Sequence, residues 1–300
     1  MGITIKWDSQ ADQNLDAIEV YRSTSRIDEN NPGTPIATLA ATATEYVDNN
    51  VRVGNTYYYS VAVVKGANRS FGANQTQGYY SNLGPGPQKV IRGDWVRGYF
   101  GEMTPAEWVT PVDVANKIKD QLKSVVGMSF ATSTSGTWFK FVYKGKIILV
   151  NTTALVSATN WTNMYNAGFI YGTDDFGKTP TGDAGAVNQR CVIEVGGYQF
   201  LVRGVRMSDK PFTEYITTQE DFNKSEWKST YARLKSDSAA LTDPTILPRF
   251  NDNGTSLASV SAHAFDATNQ VSIAAATPEV LGKAAKTGTQ PVLVVLELLQ

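Results

Sequence analysis

Two apolar runs, WFKFVY at 138–143 and KIILVN at 146–151, are separated only by Lys144-Gly145. Aromatic and β-branched residues favour strands, and a two-residue turn containing Gly joins antiparallel neighbours. The stretch therefore reads as a β-hairpin, and the fold must accommodate it. NWTNMYNAG (160–168) follows and suggests a short helix starting near Thr162 and closed by Gly168. RCVIEVGGYQFLVRGVRM (190–207) reads as a second hairpin around Gly196-Gly197. TTQEDFNKSEWKSTYARLKS (217–236) predicts a helix from about Lys224, with Trp227, Tyr231 and Leu234 on one face. DPTILPRFNDNGT (243–255) reads as a long loop. QPVLVVLELL (290–299) is apolar almost throughout, the pattern of a strand central in a sheet.

The first ninety residues have a different rhythm. ITIKW (3–7), AIEVYRS (17–23), TPIATLA (34–40), EYV (45–47) and VGNTYYYSVAVVKG (53–66) are strand signals about ten residues apart, and SNLGPGPQKVI (81–91) closes the unit. Such spacing, with Asn, Asp, Pro and Gly between the signals, predicts a β-sandwich. TPVDVANKIKDQLKSVVG (110–127) is the best helix. Thr110 is its N-cap, Pro111 takes the first helical position, and Asp113 adds favourable charge near the start. Val114, Ile118, Leu122 and Val125 form one apolar face, and Gly127 ends the run. The expected fold is mostly β with some α. It comprises a sandwich over 1–91, a junction with a helix over 92–127, and an α+β domain over 128–300.

Reactive side chains are scarce. A single Cys191 allows no internal disulfide and no multi-cysteine zinc site. In the strand-like RCVIEV it reads as a small buried hydrophobe rather than a nucleophile. The single His263 has Asp266 nearby but no nucleophile elbow, so it reads as structural or exposed. The acidic pairs Asp174-Asp175 and Glu220-Asp221 sit in turn-like contexts and read as solvated turns. FNDNGT (250–255) has oxygen-rich spacing without a complete calcium loop, and reads as a turn. Phosphate-binding glycine loops are missing. No catalytic residue, metal ligand or cofactor is expected.

The formal net charge of −1 argues against a bulk attraction to nucleic acid. No apolar run approaches the roughly 20 residues of a membrane span, so membrane insertion is not expected. MGITIKWDSQ lacks a basic and apolar leader, which predicts a chain made in a cytoplasm and remaining soluble. Aromatics in polar or broken segments are the candidates for interaction. They are Trp95, Tyr99, Phe100 and Trp108 in the Gly- and Pro-rich junction, and Phe71, Tyr79 and Tyr80 in the expected loops of 67–82. Two readings stand for the junction aromatics: packing within a domain, or contact with a partner. The Arg-Gly-Asp triplet at 92–94 is too short a match to carry an integrin reading.

Trp7, VYRST (20–24) and GNTYYYSVAVV (54–64) resemble the fibronectin type III family. The resemblance places Tyr57 at that family's tyrosine corner, where its hydroxyl caps backbone groups. ITIKW matches the family's second strand, so the first is missing or comes from another chain. The edge left open either recruits a neighbour's strand or is protected by its own loops.

From Gly93 onward the chain resembles structural proteins of tailed bacteriophages. The landmarks, in order, are GDWVRGYFGEMTP (93–105), the helix, WFKFVYKGKIILV (138–150), NWTNMYNAGFIYGTDDFG (160–177), FLVRGVR (200–206), SEW (225–227) and TQPVLVVLEL (289–298). SEW and the terminal strand also resemble C-type-lectin-like and formylglycine-generating-enzyme-like folds. This sequence lacks the paired cysteines of the latter and the EPN triplet of the former. The resemblance implies a non-enzymatic virion component of the neck, collar, tail or fibre, assembled in the bacterial host cytoplasm as a symmetric homo-oligomer. Its expected partners are other virion proteins (head–tail connector, tail or fibre subunits) and a host-surface glycan. Two other readings stay open: a receptor-binding adhesin, and a carbohydrate-active enzyme carrying a fibronectin module. Host-cell binding by isolated domains separates the first from a scaffold. Glycan turnover lost on changing Asp174, Asp175, Glu220 or Asp221 identifies the second.

Overall fold

A computed structural model describes residues 2–232, 260–274 and 277–300. The chain is mostly β with some α, as expected. It divides into two compact units. The first holds residues 1–83, 93–96 and 300; the second holds 84–92 and 97–299. The division differs from the expected one because 84–92 and 97–127 belong with the second unit.

In the first unit, Ile3–Lys6 (β1) pairs with Glu45–Asp48 (β4) alone. Ala17–Ser23 (β2), Ala37–Leu39 (β3), Asn55–Lys65 (β5), Asn68–Phe71 (β6) and Gln75–Tyr79 (β7) form the other sheet. There β5 pairs with β2 on one side, and with β6 and then β7 on the other. The expected loop 67–82 is therefore largely an interrupted edge strand. TPIATLA shortens to the three residues of β3. Alternation drives the layering: Ile3 and Ile5 point into a core shared with Val20, Tyr57 and Tyr59. Asp48, 1% exposed, joins the sheets. It accepts from Arg22 Nη1 at 2.8 Å and from the Tyr59 hydroxyl at 2.8 Å. The Tyr57 hydroxyl accepts the Arg52 N–H at 2.9 Å, so it caps backbone just ahead of its strand.

The second unit continues with Arg92–Gly93 (β8), Arg97–Met103 (β9), Pro111–Gln121 (α1), Ser129–Phe130 (β10), Trp138–Tyr143 (β11), Lys146–Asn151 (β12), Val156–Thr159 (β13) and Trp161–Ala167 (α2). Lys178–Thr179 (β14), Gly182–Asp183 (β15), Cys191–Val195 (β16), Tyr198–Gly204 (β17), Gln219–Asn223 (α3), Glu226–Ser229 (α4), Asn269–Ala274 (β18), Thr277–Ala285 (β19), Gln290–Val292 (β20) and Val294–Leu298 (β21) complete it. Its largest sheet runs β16-β17-β21-β12-β11-β9-β8. Both predicted hairpins form. Lys144 and Gly145 take φ values of 45° and 82°, the left-handed pair that suits a two-residue antiparallel turn. The run expected as one terminal strand divides: β20 pairs with β13 in a three-stranded sheet, and β21 is central in the large one, between β17 and β12.

Both faces of β11 are covered. Phe139, Phe141 and Tyr143 face a core with Ile148, Val295, Trp227 and Tyr231. Trp138, Lys140 and Val142 face the opposite way and are also buried.

Two helix predictions need correction. Helix α1 has the predicted Thr110 N-cap, to which Asp113 adds a reciprocal capping box, and Val114 and Ile118 are buried. It stops at Gln121, where Leu122 turns extended; Val125 is 43% exposed, so it is not on the apolar face. The helix expected from about Lys224 starts close to that point but is cut to the four residues of α4, and a separate short helix, α3, precedes it. Thr218 caps α3, whose C-cap is Lys224, and Ser225 restarts the chain as α4. Trp227 and Tyr231 do stack, 5.8 Å apart and nearly parallel. Leu234, the loop 243–255 and its FNDNGT turn lie outside the described residues.

Candidate functional site

Polar chemistry in the second unit concentrates around Arg203, on β17. Its guanidinium is fully buried. Nη1 and Nη2 donate to Glu226 Oε1 and Oε2 at 2.9 and 2.7 Å, and Nε donates to Glu297 Oε2 at 2.8 Å. Lys146 donates to the other Glu297 oxygen. Burial works to raise the Glu297 carboxyl, but the Arg203 and Lys146 charges override it and hold it at about 2. The Arg206 backbone N–H donates to Glu226 at 3.3 Å. Every carboxylate oxygen in this cluster accepts a charge-assisted bond, and Arg203 Nη1 also donates to the Gly204 carbonyl at 3.1 Å. A group so satisfied ties β17 to β21 and α4; it offers no base or nucleophile.

The other nominated groups have comparable duties. Cys191 is 3% exposed, and burial pushes its thiol up to about 11, far from a reactive thiolate. His263 is 1% exposed. Its Nδ1 accepts the Met207 N–H at 3.3 Å, while Nε2 lies 3.3 Å from the Lys210 carbonyl. Burial pulls its imidazole down to about 4, so at neutral pH it is an uncharged bridge. Asp266 caps its own turn through Thr268 and Asn269. Asp174 pairs with Arg190, and Asp175 accepts from Thr173 and the Gly177 N–H. Glu220 pairs with Lys224, and Asp221, in the first turn of α3, donates its N–H to the capping Thr218 hydroxyl and meets Lys210. Asp174-Asp175 sits in a turn as expected, whereas Glu220-Asp221 lies in the first turn of α3, where acidic side chains suit the helix N-terminus.

Sequence reasoning missed Lys140. It is fully buried, and its ammonium donates to the carbonyls of Pro85 and Pro87 at 2.9 and 2.6 Å above the Phe100 ring. Burial pulls it down to about 8. The signal was a lone Lys in an aromatic strand facing the same way as Trp138.

The aromatic interaction candidates separate. Tyr99 and Phe100 are 6% and 1% exposed in the second unit's core, which removes them as contact residues. Trp108 packs on Trp138 and Phe200, and Gly196 leaves room for its indole: a Cβ there would lie 2.2 Å from Nε1. Tyr79 packs on the sandwich core. Trp95 and Tyr80, both half-buried, stack at 5.8 Å in the first unit. The Thr76 hydroxyl accepts the Trp95 N–H, and the Thr56 hydroxyl donates to its carbonyl.

Phe71 leans on Tyr21 and helps line a groove of about 350 Å³ between the two sheets of the sandwich. Ile5 and Trp7 stand on one wall; Tyr59, Val61 and Val63 stand on the other. Among the described residues, no group of three or more His, Cys, Asp or Glu side chains could hold a metal ion, and no helix is long and apolar enough to cross a membrane. No family model, curated protein or solved structure matches the chain.

Proposed function

We propose that the protein is a structural component of a tailed-bacteriophage virion, placed in the neck, collar or tail and built into symmetric multimers. One observation carries this reading. Four of the seven landmarks behind the phage resemblance, GDWVRGYFGEMTP, WFKFVYKGKIILV, FLVRGVR and TQPVLVVLEL, supply the consecutive neighbours β17-β21-β12-β11-β9 of one sheet. The resemblance therefore follows a folding unit rather than isolated words. The buried ion network and the satisfied Asp and Glu turns support a rigid scaffold over a site with tuned groups. Negative-stain microscopy of purified particles, labelled with an antibody to residues 128–300, tests the assignment. Labelling at one fixed, repeated position is expected; absence of the chain from particles would sink it.

A second reading, a host-surface adhesin, draws on the half-buried Tyr80–Trp95 stack flanked by the Thr56 and Thr76 hydroxyls. An aromatic platform beside hydroxyls suits the apolar face of a sugar ring. Glycan binding that survives Trp95→Ala would remove this reading.

A further inference from the structure

We infer that the Arg206 guanidinium anchors a binding site for a small ligand bearing a single carboxylate. Arg206 follows β17, and its backbone is fixed from both sides. Its N–H donates to Glu226 Oε1 at 3.3 Å, and its carbonyl accepts the Trp227 N–H at 3.2 Å. The half-buried side chain lies against Phe212, with Cζ 5.7 Å from the ring centroid, within the range of a cation–π contact. That ring is packed in turn on Tyr171 at 4.9 Å and on His263 at 4.6 Å. The guanidinium is therefore positioned before any ligand arrives. Its hydrogen-bonding capacity is unused: among the described residues, no hydrogen bond or ion pair reaches it. Nε is enclosed without a partner, so the Nη end is the part open to a ligand.

The surrounding charges set the sign of that ligand. The charged groups that act on Arg206 are Arg203, Glu226, Glu297 and Asp209. Glu226 is held by Arg203, Glu297 by Arg203 and Lys146, and Asp209 by Lys144 and the Tyr143 hydroxyl. Arg203, Arg206, Lys146 and Lys144 thus face Glu226, Glu297 and Asp209, four cations to three carboxylates, and Arg206 is the one without a partner. Burial, followed by the Arg203 charge, pulls its guanidinium below the ordinary arginine value. A partly desolvated cation without a counter-ion is costly, and an anion docked on it offsets that cost. One surplus charge selects a monoanion, because a second negative charge would meet the fields of three fixed carboxylates. The planar Nη fork matches two coplanar oxygens better than one spherical ion. Charge and geometry together select a carboxylate. Nothing in this site depends on the virion reading.

Side-chain NMR of the full chain with isotope-labelled arginine tests this, titrating acetate against chloride at constant ionic strength. The Arg206 N–H signals should shift saturably with a midpoint of about 1 mM or lower. Chloride alone should leave them in place, and the exposed Arg190 should not saturate in the same range. Arg206→Lys keeps the charge but not the fork, and should raise the midpoint about tenfold or more, followed on the Phe212 ring signals. Arg206→Gln should abolish the response. The titration of the native chain decides the matter even where a variant fails to fold. Four results overturn the inference. They are no saturable shift, which would mean a guanidinium already paired or merely hydrated, an equal response to chloride, a tighter response to inorganic phosphate, and an unchanged midpoint in Arg206→Lys.

Discussion

His263 is the residue whose environment most clearly sets a pH dependence. Its imidazole titrates at about 4 in the fold, against an ordinary value near 6.5, because it is buried. The unfolded chain binds this proton first as pH falls. The neutral histidine's contribution is therefore complete above about 6.5 and is lost progressively toward 4. The shift corresponds to at most roughly 3 kcal/mol. Glu297, held at about 2, loses its contribution in a lower window, between its ordinary 4.5 and 2. The urea midpoint of the second unit should fall from pH 7 to pH 4.5 in the native sequence, and fall less in His263→Gln. Identical slopes in the two proteins would show that the imidazole does not titrate as its burial demands. Arg203 makes the larger demand at neutral pH. Arg203→Met would leave Glu226 and Glu297 buried without their partner, a loss of about 3–5 kcal/mol by chemical denaturation. Arg203→Lys should recover little of it, since one ammonium cannot make the paired bonds to Glu226.

At the scale of elements, α1 depends on its first turn. The Thr110 hydroxyl accepts the Asp113 N–H at 3.2 Å, and the Asp113 carboxylate accepts from the Thr110 backbone at 3.2 Å. Thr110→Ala should cost about 1 kcal/mol, read as a lower urea midpoint of the second unit with an unchanged denaturant slope. This cap was legible in the sequence because it spans three residues. The Lys144-Gly145 and Gly196-Gly197 hairpins were legible for the same reason: turn chemistry and strand pattern lie side by side. What could not be read was non-local. Arg203 finds Glu226 and Glu297 across 23 and 94 residues, and no local pattern marks those glutamates as buried. The helix start near Lys224 was legible because Ser225 is a good N-cap ahead of Trp227; α3 was not, because in its five residues only Phe222 is buried. For Tyr99 and Phe100, beside Gly and Pro, the pattern left packing within a domain or contact with a partner open, and β9 carries them into the core.

At the scale of the whole molecule, the compact units are not contiguous in sequence. The first takes back residues 93–96 after the chain has already entered the second. A fragment ending at residue 91 therefore loses Trp95 and the ring that stacks on Tyr80. It should melt lower than a fragment ending at residue 98, by about 0.5–1.5 kcal/mol for the aromatic pair. Equal melting of the two would show that residues 93–96 add nothing to the sandwich. Lys140 has a further consequence at this scale. Its amine is shut away beneath the carbonyls of Pro85 and Pro87, in the middle of the largest sheet. A water-soluble acylating reagent must wait for the segment carrying Pro85 and Pro87 to lift before it can mark this lysine. The slow appearance of its adduct, followed by mass spectrometry, would act as a built-in clock for how often that segment lifts.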